Sequence, residues 1–144
     1  MDQDVLALGF DFGLRRIGVA VGGSATGRAE PLTTITCRLN QPDWEKLDQL
    51  MDEWKPALLV VGLPYNTDGS ESEMTRAARK FAGRIQNRYR IPAELTDERL
   101  SSVEAEDKLR EQRRSGARRR RVKKEDVDRG AAAVILQSWL DNRK

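Results

Sequence analysis

Runs of apolar residues predict that the first third of the chain forms three strands. Residues 5–12 are an apolar run of strand length, and a second run, 17–21, ends at two glycines in a hairpin pattern. A third predicted strand, 32–36, is rich in β-branched residues. Three strands joined by short connections can run as an antiparallel meander.

The rest of the chain alternates helices with strands. Residues 57–61 form a wholly apolar run, typical of a central parallel strand, and residues 91–96 return as a shorter strand. Helical spacing and capping-box patterns predict helices over 43–54, from Ser70 and Glu73 to about Tyr89, from Ser101 and Glu104 to about 114, and over 125–142. We therefore expect an α/β fold with a mixed five-stranded sheet, a three-strand meander plus two parallel strands, flanked by helices.

Length and composition set the broad class. With 144 residues, no internal repeat and no linker, the chain is expected to be a single domain over 1–144. No stretch approaches the roughly 18 apolar residues of a membrane helix, so no membrane partner is expected. Cys37 is the only cysteine, which excludes an intramolecular disulfide and fits a reducing compartment, so we expect a cytoplasmic protein.

The sequence contains no histidine, which restricts its chemistry. Catalytic triads, Cys-His dyads and His-containing zinc sites are excluded. Any metal chemistry must then use carboxylates, whose hard oxygens suit magnesium and manganese. Metal-assisted phosphate chemistry is the natural candidate.

The net charge of +3 conceals a local excess of positive charge. Residues 113–124 carry eight Lys or Arg and no acid, whereas the remainder carries 18 basic and 23 acidic residues. We interpret this segment as a flexible loop that binds nucleic acid, although a solvated charged loop is the alternative. Its candidate contacts are Arg118, Arg119, Arg120, Arg121, Lys123 and Lys124.

Asp11 is unusual because it lies inside an apolar strand, where an unpaired charge is costly. Strand alternation places it on the face of Ala7 and Gly9, opposite to Leu8 and Phe10. Small neighbours leave space above the carboxylate, which favours a functional role. The alternative is a strand-end turn in the Asp-x-Gly pattern.

Asp128 is a second candidate, in the last predicted helix. It shares a helix face with Ala131, Ala132, Ile135 and Trp139, so it should point toward the sheet. The alternative is an acid favoured near a helix N-terminus by the helix dipole.

Glu98 is the third candidate, at the end of the strand over 91–96, where α/β sites collect their residues. Asp97 alternates to the opposite face, and the pattern alone leaves open which of the two points into the site. Two magnesium ions need several carboxylates around them to clamp a phosphodiester. Asp11, Glu98 and Asp128 are therefore predicted to be both metal ligands and catalytic residues.

Four segments carry a family resemblance: FDFGLRRIGVAVG at 10–22, VVGLPYNTDGSES at 60–72, TDERLSSVEA at 96–105 and VDRGAAAVILQSWL at 127–140. In these, the chain resembles the YqgF-type (RuvX-type) nucleases of precursor 16S rRNA, RNase H-like proteins also described as Holliday junction resolvases. The resemblance implies an RNase H-like fold and a magnesium-dependent nuclease that acts on the 5′ end of 16S rRNA. It also favours Glu98 over Asp97. One departure is Leu14-Arg15-Arg16, where the family usually has Thr-Lys-Arg.

Three further residues are candidates for nucleic-acid contact, each with a structural alternative. Arg15 and Arg16 could meet phosphate or be ordinary surface arginines. Asn66 precedes a helix N-terminus, a place suited to phosphate, but equally fits a turn.

Several functions and partners remain open from the sequence. The leading one is processing of precursor 16S rRNA, with ribosomal assembly particles as a further partner. A Holliday junction resolvase acting on branched DNA is the close alternative, and it would require a stable dimer. A non-catalytic RNA-binding assembly factor is a third possibility, whereas an actin-like ATPase would need a second lobe. We expect a monomer or weak homodimer.

Overall fold

The structure, a computed structural model, describes residues 5–97 and 124–142. Over these ranges a single mixed sheet lies between helices. Its strands are β1 Leu6–Asp11, β2 Arg16–Gly23, β3 Arg28–Arg38, β4 Gln41–Pro42, β5 Leu58–Leu63 and β6 Ala93–Asp97. The helices are α1 Trp44–Trp54, α2 Glu73–Tyr89 and α3 Lys124–Asn142.

The described sheet has the strand order β4-β3-β2-β1-β5-β6. Strands β1, β2 and β3 form the antiparallel meander, and β5 pairs in parallel with both β1 and β6. The predicted mixed sheet is confirmed, with six strands instead of five. The added strand, β4, has two residues, too few to give a periodic signal. It follows a tight turn in which Leu39 and Asn40 both have positive φ.

The two faces of the sheet are covered by different helices. Leu8 and Phe10 of β1 belong to the core formed with α1 and α2, which includes Leu47 and Phe81. Ala7, on the other face, packs with α3. The small side chain of Ala7 and the absence of one at Gly9 allow α3 to lie close to the strand.

The start of α2 differs from the predicted capping box. Ser72, not Ser70, is the N-cap: its hydroxyl accepts a hydrogen bond from the Thr75 backbone N–H, and the Thr75 hydroxyl accepts one from the Ser72 N–H. Ser70 instead donates its backbone N–H and its hydroxyl to Asp68. The prediction was wrong by two residues because the turn before the helix uses the first serine.

Side-chain hydrogen bonds also hold the other two helices in place. Asp43 caps α1 by accepting from the Lys46 N–H. Near the end of α3, the Gln137 side chain accepts from the Ala29 N–H and donates to the Gly27 carbonyl, so it fastens the helix to the β2–β3 hairpin. The helix predicted from Ser101 to about 114 lies outside the described residues. No helix in the described ranges is both long and apolar enough to cross a membrane.

Candidate functional site

Asp11 is the last residue of β1 and pairs across the hairpin with Gly18 of β2. It lies on the α3 side of the sheet, since two residues earlier Gly9 is so close to α3 that an added Cβ would lie 2.8 Å from the Leu136 Cβ. The predicted face of Asp11 is confirmed. Because β1 and β5 are parallel, their carboxyl ends meet at one edge of the sheet, which we call the acid edge.

Asp128, in the second turn of α3, lies at this same place. An added Cβ at Gly18 would overlap the Asp128 carbonyl oxygen, so the helix backbone rests directly on the strand opposite Asp11. Only glycine permits this close approach. The fold therefore brings the first strand and the last helix together with their aspartates on one face of the sheet.

Arg16 forms an ion pair with Asp128, with 2.8 Å between its Nε and the Asp128 Oδ2. The two side chains are 31% and 24% exposed, so water screens the pair less than a fully exposed one. Arg16 is two residues from Gly18 and therefore points to the same face. From the sequence, Arg16 could be either a phosphate contact or an ordinary surface arginine. Its pairing with Asp128 was not predicted.

Arg15, the neighbouring candidate, is exposed at the tip of the β1–β2 hairpin. Its carbonyl accepts a hydrogen bond from the Cys37 N–H, which fixes the backbone and leaves the side chain toward solvent. Burial raises the pKa of the Cys37 thiol, which keeps it protonated near neutral pH. A thiolate nucleophile is therefore not favoured beside the site.

The position of Asp97 bears on the third acid. Asp97 is in register with Leu63 of β5, and Ala93, four residues earlier, packs in the core under α1 and α2. Residues in register and residues two or four apart share a face. Asp97 thus lies on the face opposite to Asp11. Glu98 lies outside the described residues.

Asn66 lies in the loop that follows β5, at the acid edge. Its side-chain amide donates to the Ser70 hydroxyl at 2.9 Å, and its backbone N–H donates to the Ser70 carbonyl. These bonds give Asn66 a turn role. Its side-chain oxygen makes no hydrogen bond within the described ranges.

The donors at the acid edge fit magnesium in chemical type. Asp11 and Asp128 supply hard carboxylate oxygens, the ligands that this ion takes from proteins. Within residues 5–97 and 124–142, no group of three or more acids, cysteines or histidines is close enough to hold a metal. Arg118, Arg119, Arg120, Arg121 and Lys123 lie outside these ranges, as Glu98 does, and Lys124 begins α3.

The fold resembles that of two solved structures. A Thermus thermophilus RuvC structure, described as in complex with a Holliday junction substrate, superposes with a TM-score of 0.58 at 13% identity, covering 97% of this chain and 98% of that one. The yeast mitochondrial Holliday junction resolvase Ydc2 superposes with a TM-score of 0.54 at 11% identity, covering 93% and 77%. At these identities the likeness shows the fold, and the RNase H-like prediction is confirmed.

Sequence relatives are much closer. A Nitrosococcus oceani protein is 47% identical over 139 residues, covering 96% of this chain and 88% of that protein. A Coxiella burnetii protein is 44% identical over 143 residues, covering 99% and 97%. Both are named "Putative pre-16S rRNA nuclease". Residues 5–142 match the RuvX family profile, described as Holliday junction resolvase, and the chain belongs to this family of nucleases.

Proposed function

We propose that the protein is a magnesium-dependent endonuclease that hydrolyses phosphodiester bonds and processes the 5′ end of precursor 16S rRNA in ribosome biogenesis. The observation that carries the proposal is the convergence of Asp11 and Asp128 on one face at the acid edge. Asp128 pairs with Arg16, and the two carboxylates brought together from opposite ends of the chain also offer hard oxygen ligands to a divalent cation. That arrangement suits a metal-assisted hydrolase.

In this proposal Asp11 and Asp128 would both hold the metal. Glu98 is proposed as the third ligand, as the family resemblance implies, and Asp97 lies on the face opposite to Asp11. Magnesium bound there would activate water and neutralise charge developing on the phosphate. The carboxylates hold their positions because β1 and α3 are packed elements.

Arg16 supplies a positive charge beside the two acids. Its contact with Asp128 orients that carboxylate. A guanidinium also fits the paired oxygens of a phosphate, so Arg16 can meet the substrate backbone from the same position. Arg15, which is exposed, would contact the nucleic-acid backbone at a point farther from the two acids.

RNA is the proposed substrate because the relatives that share 44–47% identity carry the name of an rRNA nuclease. Ribosomal assembly particles are the setting in which such RNA would be met, and the proposal places this reaction in the cytoplasm. The second candidate is Holliday junction resolution. The family description and the junction-bound RuvC neighbour favour it.

The deciding experiment incubates the purified protein with precursor 16S rRNA and, separately, with four-way DNA junctions, with and without magnesium. We expect cleavage of the RNA near its 5′ end only with magnesium. Asp11→Asn should reduce cleavage to background while the thermal midpoint is kept, because the amide preserves shape and removes charge. Asp52→Asn, an exposed acid in α1, is the control and should cleave normally.

The other outcomes separate the candidates. Symmetric junction cleavage without RNA cleavage would support the resolvase. Wild-type rates in Asp11→Asn would remove Asp11 from the site. RNA binding without cleavage at any metal concentration would support an assembly factor. Bound magnesium should raise the thermal midpoint of the protein. Glu98→Gln should remove this rise and Asp97→Asn should retain it, and the reverse result would exchange the roles of the two acids.

A further inference from the structure

A row of four cations crosses the outer surface of α2. Arg76, Lys80, Arg84 and Arg88 follow one another at intervals of four residues, about 6 Å apart along the axis and roughly 18 Å in total. Arg84 is partly buried and the other three are exposed. The helix contains a single acid, Glu73. We call these four residues the α2 ridge.

Such a row opposes helix stability, because like charges four residues apart repel each other. Packing explains its second half. Arg88 pairs with Asp48 of α1 at 2.8 Å, and Arg84 and Arg88 each lie 4.8 Å from the centre of the Trp44 ring. These contacts join α2 to α1.

Packing does not explain the first half of the ridge. Within residues 5–97 and 124–142, the side chains of Arg76 and Lys80 make no hydrogen bond or ion pair. Both are exposed, and they repel each other across one helical turn. Gly83, one turn farther along, has open space where a side chain would lie. This part of the helix presents charge and bare backbone to solvent.

The direction of α2 relates the ridge to the acid edge. The loop after β5 leads from that edge into the helix, so Arg76 lies near the edge and Arg88 lies farther away. Within the ridge, Arg84 donates to the Gln41 side chain at 2.7 Å. Gln41 and Trp44 line a cleft of about 540 Å³ beside the ridge, together with the oppositely charged Arg38 and Asp43.

We propose that the α2 ridge binds the phosphate backbone of the RNA where it extends past the acid edge onto the α1–α2 side of the molecule. This inference rests on the proposed nuclease function. A nucleic-acid strand offers closely spaced negative charges in a row, about one per 3.4 Å of axis in a duplex, and such a row matches the ridge in charge and in shape. Phosphate contacts of this kind position the substrate without reading its sequence.

The test measures binding of a fluorescent single-stranded RNA, taken from the 5′ end of precursor 16S rRNA, by anisotropy in EDTA. The variant is Arg76→Gln/Lys80→Gln. The control is Arg28→Gln/Lys55→Gln, which removes the same charge at exposed positions on the opposite edge of the sheet. Loss of two phosphate contacts should reduce the slope of log affinity against log salt concentration by about 1.4. If the variant and the wild type bind equally at 1 M salt, the variant should then bind roughly 25-fold more weakly at 0.1 M salt. The control should bind as the wild type does.

Folding is monitored in the same samples. The thermal midpoint of the ridge variant should stay the same or rise, because a repulsive pair is removed. Arg76→Lys, which keeps the charge, should retain binding. An unchanged affinity and salt slope in the double variant would overturn the inference, and an acidic protein surface would then be the better partner for the ridge. Wild-type protein that neither binds nor cleaves RNA would overturn the proposed function itself.

Discussion

At the scale of single residues, alternation along one strand predicted the face of Asp11 because the signal is local. The side chains of Ala7 and Asp11 must share a face whatever the rest of the fold does. The ion pair between Arg16 and Asp128 could not be predicted, because 112 residues separate its members and no local pattern joins them. In the proposed metal site, a bound cation would compete with Arg16 for Asp128.

This competition gives a prediction for Arg16→Gln. A bound divalent ion and a guanidinium about 5 Å apart repel each other by roughly 1–2 kcal/mol even in water-like surroundings. Removing Arg16 should therefore raise the affinity for manganese by about tenfold, measured by titration calorimetry without nucleic acid. Arg15→Gln, an exposed neighbour, should leave it unchanged. Equal or weaker affinity in Arg16→Gln would mean that this arginine supports the metal ligand and does not compete with the ion.

At the scale of elements, apolar periodicity located every described helix and all the longer strands. The boundaries were less secure where side chains compete with the backbone. The sequence pattern placed the start of α2 at Ser70, but Ser70 is held in the preceding turn by Asp68 and Ser72 caps the helix. The two-residue β4 gave no signal.

The capping assignment is tested by two serine variants. Ser72→Ala should lower the free energy of unfolding by about 1 kcal/mol, because the Thr75 N–H loses its partner. Ser70→Ala removes two exposed turn contacts, with Asn66 and with Asp68, and should cost less than about 0.5 kcal/mol. Urea unfolding measures both, and the opposite ranking would favour the cap predicted from sequence.

Two glycines should respond in opposite directions to the same change. Gly18→Ala should destabilise the protein by about 1–3 kcal/mol, because the new Cβ would push α3 away from β2. It should also shrink the rise in thermal midpoint on adding magnesium. Gly83→Ala fills open space in a helix and should stabilise by about 1 kcal/mol. A neutral Gly18→Ala would show that α3 does not need this contact.

At the scale of the whole molecule, the order of helices and strands was enough to predict a mixed sheet between helices. It did not show how the helices hold one another on each face. Asp48 of α1 accepts hydrogen bonds from Arg88 and from Tyr89, and these bonds connect the two helices that cover the core of Leu8 and Phe10. Such contacts depend on which faces meet, which periodicity does not specify.

This connection makes stability depend on pH. The hydrogen bond from Arg88, followed by that from Tyr89, lowers the pKa of Asp48 to about 2. A lowered folded-state pKa stabilises the protein above the unfolded value of about 4, and this contribution is lost as pH falls from about 4 to about 2. The side chain is 44% exposed, so the effect should stay below about 1 kcal/mol.

The measurement compares Asp48→Asn with the wild type by urea unfolding at several pH values. The variant should be less stable at neutral pH, and the difference should narrow below about pH 4. Asp52→Asn controls for the change in net charge. A difference that persists undiminished at the lowest pH would show that the Asp48 carboxylate charge is not what holds the helices together.

The contact between Gly18 and α3 has a consequence for timing during synthesis. The two aspartates come from segments that leave the ribosome far apart in time: Asp11 and Asp128 lie 117 positions apart, and synthesis of that stretch takes roughly 6–23 s at about 5–20 residues per second. Until the last helix emerges and docks on β2, Asp128 is absent from the acid edge. If both aspartates serve the proposed nuclease, a nascent chain would be unable to cut RNA before α3 docks, and activity would appear in one step with that docking.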